Sequence, residues 1–135
     1  MRQFLTGFLF LAAAASPAIA QNPRACPHEE SDRDRIARTL EAAASCQFAY
    51  DLMNACRSNT SGDVEFADIV MQRCEGAFLA QLSMAGRKSY GDDRARCRHR
   101  YAKREGTMYL SFAVTCEAGV AARYAADAER RSRNR

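Results

Sequence analysis

The chain has 135 residues, with 20 Lys and Arg against 16 Asp and Glu, six cysteines, two histidines and no tryptophan, for a formal charge of +4. This length suits one small domain with a modest core. No Gly-x-Ser-x-Gly elbow, phosphate loop or dinucleotide fingerprint occurs, which leaves nucleotide chemistry without support.

Residues 1–20 open with Met1-Arg2, continue through an apolar run from Phe4 to Ala15 and end in Ala18-Ile19-Ala20. Charged, apolar and small-residue zones in that order mark a secretory signal cleaved near Ala20. The run is shorter than the roughly 20 residues that cross a bilayer, so the expectation is an exported chain, periplasmic or secreted, that spans no membrane. All six cysteines (Cys26, Cys46, Cys56, Cys74, Cys97 and Cys116) follow the cut, and an even count in an oxidising compartment predicts a disulfide framework.

Beyond a leading segment, residues 21–30, the sequence is rich in Ala, Arg and Leu and lacks the alternation of a strand. The expected fold is all-α: a small disulfide-stapled bundle of about four helices, arranged as two antiparallel helical hairpins over residues 31–128. The first helix begins at Ser31, whose hydroxyl caps free amides, and runs through Ile36, Leu40 and Phe48 to about Cys56. Residues 57–62 form a loop by composition, and Asp63 caps a second helix with Phe66, Ile69, Val70, Cys74 and Phe78 on one face. Gly86 to Gly91 ends that helix. Asp92 and Asp93 start a third, which continues to about Arg104 with Cys97 and Tyr101 on one side. Glu105-Gly106-Thr107 stops it and starts a fourth, carrying Tyr109, Phe112, Cys116, Val120 and Tyr124. Residues 129–135 read as a basic, disordered tail.

Helix geometry restricts the disulfides. Bridged cysteines need Cα atoms within about 7 Å, whereas ten residues of helix span about 15 Å, so Cys46 cannot reach Cys56. In an antiparallel hairpin, residues equidistant from the turn face each other. Cys46 and Cys74 are each 14 positions from Thr60; Cys97 and Cys116 are centred between Gly106 and Thr107, and pair only if a turn occurs there, since a third and fourth helix running on as one would keep them apart. Cys26 with Cys56 follows by elimination.

Charge divides along the chain: residues 21–80 hold 6 Lys and Arg against 10 Asp and Glu, whereas residues 81–135 hold 13 against 6. The densest basic segment, Arg94, Arg96, Arg98, Arg100, Lys103 and Arg104, is a candidate anion-binding site. In an exported chain its ligand would be lipid head groups or anionic glycan, and nucleic acid is not expected. A solvated helix face is the plainer account of the same arginines. Carboxylates such as Asp63, Glu65, Asp68, Asp92 and Asp93 could serve a small hydrolase, but capping and helix dipoles already account for them. Cys26-Pro27-His28 has the form of half a thiol-redox motif, with Glu29 where a second thiol would stand. His28 and His99 lack a partner at ligand spacing, so no metal or other cofactor is expected.

Cys46, then Asp51-Leu52-Met53-Asn54-Ala55-Cys56, then Ala67-Asp68 and finally Phe112-Ala113-Val114-Thr115-Cys116 form a series that resembles the LprI-type lysozyme-inhibitor N-terminal family. The resemblance covers Cys46 to about Tyr124 and implies a small exported helical protein that binds a lysozyme-like hydrolase and is not an enzyme. Lysozymes are typically cationic, so the acidic first hairpin is the part suited to one, and Glu65 and Asp68 are its candidate contacts by charge.

Overall fold

The structure, a computed structural model, describes residue 23 and residues 25–135. The expected signal segment lies outside the described residues. Five α-helices follow one another: α1 (Arg33–Glu41), α2 (Cys46–Cys56), α3 (Asp63–Phe78), α4 (Met84–Tyr101) and α5 (Thr107–Arg133). A short 3-10 turn, Leu79–Gln81, follows α3, and there is no strand among the described residues. None of these helices is long and apolar enough to cross a membrane.

The two hairpins are α2–α3 and α4–α5. Cys46 is joined to Cys74 across the first, with Cα atoms 4.8 Å apart, and Cys97 to Cys116 across the second, at 5.6 Å. Cys26 is bonded to Cys56, which folds the leading segment back onto the end of α2. The two hairpin pairs are those expected from distance to the turn, and Cys26–Cys56 is the pair left by elimination; three bridges suit an oxidising compartment.

Several boundaries differ from the sequence expectation, and local hydrogen bonding explains them. The expected first helix is two helices, because Ser45 takes extended backbone and its hydroxyl accepts from Phe48 N at 3.1 Å, capping α2. Ser31 caps nothing; α1 follows Asp32, whose side chain makes no cap. The third helix begins at Met84, not Asp92, because Ser83 caps it by accepting from Gly86 N at 3.1 Å. Gly86 and Gly91 therefore lie inside a helix, and Asp92 and Asp93 sit at its middle. The tail from residue 129 is helical to Arg133, with an Arg130–Asp127 ion pair and a Ser132 hydroxyl donating to Glu129 O in its last turns. The turn at Gly106 does occur, with Gly106 at φ 106° and ψ 152°.

Helices α3 and α5 lie side by side in the same direction: Asp63 meets Ser111 near one end, and Phe78 meets Tyr124, ring centroids 5.6 Å apart, near the other. The core side chains Ile36, Leu40, Leu52, Met53, Phe66, Val70 and Phe78 come from α1, α2 and α3, and α4 adds Tyr90. Helix α5 contributes mainly Ala118, Ala121, Ala122, Ala125 and Ala128.

Asp63 does not cap α3, since it is the first residue of that helix and wholly buried. Its carboxylate accepts from Ser58 N at 3.1 Å and from the Ser111 hydroxyl at 2.5 Å, tying the 57–62 loop to α5. A buried carboxylate needs such donors to offset lost hydration. Ser111→Ala removes one of them, and urea unfolding should show a loss of about 1–3 kcal/mol. Gly106 occupies backbone space that is open essentially to glycine alone, and an added Cβ there would meet no atom within 4 Å. Gly106→Ala therefore carries a purely backbone cost, expected as a loss of about 1–3 kcal/mol in the same measurement.

Candidate functional site

The sequence candidates fall on two surfaces. Glu65 and Asp68 are exposed on α3 and line an open groove with Arg33 and Glu41 of α1. Arg33 reaches into it: the guanidinium lies 3.3 Å from Glu65, donates to Gly62 O and sits 4.4 Å above the Phe66 ring. Asp68 has no ion-pair partner among the described residues. Glu41 and Arg33 escaped the sequence reading because they stand more than 20 positions from Glu65 and Asp68, and only the packing of α1 on α3 assembles the four.

The basic segment separates into two groups. Arg94 and Arg98, one helical turn apart, face α5, where both donate to Glu117 Oε2 at 2.9 and 2.5 Å. Arg94 also donates to Glu75 of α3 at 3.2 Å, and Arg96 pairs with Asp93. These three side chains are engaged within the protein, so they are not the free anion ligands expected from sequence. Arg100, Lys103 and Arg104 have no carboxylate partner among the described residues, and Arg104 stands 5.8 Å over the Tyr109 ring. Sequence charge density could not separate the groups, because it does not reveal that Glu117 is only 5% exposed and faces α4.

Glu75 and Arg94 centre a polar cluster that joins α3, α4 and α5. Tyr90 donates to Glu75 Oε1 at 2.7 Å while its ring packs between Phe78 and Tyr124, at 5.1 Å from each. Burial, followed by the hydrogen bond and charge of Glu75, holds the Tyr90 hydroxyl well above its ordinary value of 10.0. Burial of Arg94 works against its charge, but the hydrogen bond to Glu117 and the surrounding negative charges outweigh it, and its affinity for the proton rises. Every member has a partner, so the cluster reads as a structural clamp between α3, α4 and α5.

Three of the five carboxylates weighed for hydrolysis are similarly committed, Glu65 and Asp68 being exposed on α3. Asp63 is buried against serines, Asp92 pairs with Lys88 at 2.6 Å, and Asp93 accepts from Arg123 and Tyr124, each at 3.0 Å. His28 shares a hydrogen bond with Thr39 at 2.9 Å, and His99 is exposed on α4. No group of three or more metal-ligating side chains occurs among the described residues.

No family model, curated protein or solved structure matches the chain.

The raised Tyr90 hydroxyl has a measurable consequence. Its native state keeps a proton that the unfolded chain releases near pH 10.0, so the stability this group contributes is complete below that pH and is lost as pH rises above it. Alkaline titration followed by tyrosinate absorbance should show a late-ionising tyrosine in the folded protein, absent from Tyr90→Phe.

Proposed function

We propose that this chain is an exported, non-enzymatic binding protein whose α1–α3 groove docks a cationic protein, a lysozyme-type hydrolase being the partner implied by the resemblance of residues 46–124. The observation that carries the reading is the charge of the groove. Glu41, Glu65 and Asp68 line it against a single cation, Arg33, which is already held by Gly62 O and the Phe66 ring. A chain with an overall positive charge thus presents a locally acidic surface, the complement of a cationic partner.

Rigidity supports the same reading. The Cys46–Cys74 bridge ties α2 to α3, and Cys26–Cys56 holds the segment that leads into α1. A groove fixed before contact loses little conformational entropy on binding. The bridges also suit the oxidising compartment where an exported protein would meet a secreted hydrolase.

The test is inhibition of a purified cationic lysozyme by the oxidised chain. Dose-dependent inhibition is expected, abolished by reduction and alkylation and weakened about tenfold, or about 1.4 kcal/mol, in Glu65→Gln/Asp68→Asn. No inhibition by the folded, oxidised chain would overturn the lysozyme reading.

A further inference from the structure

The tip of the α4–α5 hairpin combines cations with apolar side chains left in water. Met108 and Leu110 are 42% and 45% exposed, flanking Tyr109 at the start of α5. Tyr101, Tyr109 and Phe112 form an aromatic cluster with ring centroids 5.9–6.3 Å apart. Tyr101, Arg104, Tyr109 and Leu110 line a groove there. Arg104 lines this groove, Lys103 adjoins it in sequence, and Arg100 lies on the neighbouring face with Cys97 and Arg123; none of the three has a carboxylate partner among the described residues, and Glu105 is the single acid between positions 100 and 112. A solvated helix face would account for the cations but not for Met108 and Leu110.

We propose that this tip docks on the surface of an anionic bilayer. Lys and Arg side chains lay their apolar stems along the interface and carry their charges to phosphate, while tyrosine rings favour the head-group level, where one edge is wet and the other apolar. Met108 and Leu110 lie on opposite sides of the first turn of α5, so it is the end of the hairpin, docked tip first, that carries both to the boundary between head groups and acyl chains. A soluble anionic glycan would satisfy Arg100, Lys103 and Arg104 but would leave Met108 and Leu110 in water, and this favours the bilayer. The Cys97–Cys116 bridge joins the two helices behind the tip, so the surface is formed before it meets a membrane. This surface is distinct from the α1–α3 groove and shares no residue with it.

The test is co-sedimentation of the oxidised, exported chain with phosphatidylcholine vesicles, with and without phosphatidylglycerol. Binding is expected to the anionic vesicles alone and to weaken with added salt. Lys103→Gln/Arg104→Gln should reduce it about 25-fold, on the basis of about fivefold per cation near an anionic surface. Met108→Ser/Leu110→Ser should also reduce it, while Glu65→Gln/Asp68→Asn should leave it unchanged. All four tip positions are exposed, and unaltered circular dichroism and intact disulfides would show that the variants are folded. Failure to bind anionic vesicles, or equal binding to neutral ones, would overturn the proposal. Undiminished vesicle binding by folded Met108→Ser/Leu110→Ser would overturn it too, and binding of that variant to dextran sulfate would assign the cations to a soluble polyanion.

Discussion

The close approach of α5 to α3 is the constraint on which the rest of the structure depends. It is achieved because α5 turns inward a face of small residues, Ala118, Ala121, Ala122, Ala125 and Ala128, all buried. On the side toward α2 the fit extends to Gly119, where an added Cβ would stand 2.8 Å from the Tyr50 hydroxyl. An alanine face admits neighbouring helices closely but removes little apolar area from water per residue. The larger yield comes from Phe66, Phe78, Leu40, Leu52 and the other big side chains of the first three helices. Three disulfides constrain the unfolded chain and supplement that modest core.

Two carboxylates at the faces of α5 set its position. Asp63 is held by Ser111, and Glu117 by Arg94 and Arg98. Removing such a group from water is costly unless it is paired, and a displacement of the α4–α5 hairpin along α3 would take the Ser111 hydroxyl from Asp63 and pull Tyr90 and Arg94 from Glu75. The alanine face alone would tolerate such a slip, because its repeating small side chains look alike at successive turns. Polar pairing therefore supplies the register that the apolar contact leaves loosely specified.

The same pairing decides which charges remain for partners. Glu117, Glu75 and Asp93 engage Arg94, Arg96 and Arg98, so the basic stretch of α4 is exposed as an unpaired charge only near its C-terminal end. On the opposite half, α1 adds Glu41 to the two carboxylates of α3 and brings in Arg33 as a partial counterweight. A chain whose sequence reads as an acidic half followed by a basic half thus becomes a body with one acidic groove and one basic, aromatic tip. Both surfaces are what remains after internal pairing.

The helical class, the two hairpins and the cysteine pairs were legible in the sequence. Amphipathic periodicity is local, distance from the turn determines what Cys46 and Cys97 can face, and Cys26–Cys56 was left by elimination. Helix boundaries were less legible: Ser45 divides the expected first helix by capping α2, and Ser83 starts α4 well before the acidic pair at Asp92, because a cap acts only where the neighbouring chain also leaves the helix. The candidate surfaces were legible only in part. Composition located the acidic and basic stretches, but Glu117 lies 23 and 19 residues from the arginines it engages. Tertiary structure alone decided which arginines are free, that Asp63 is a buried bond to α5 rather than a cap, and that Met108 and Leu110 stay in water beside the unpaired cations. The physical reason is that charge and polarity are properties of residues, whereas their partners depend on which distant helix lies alongside.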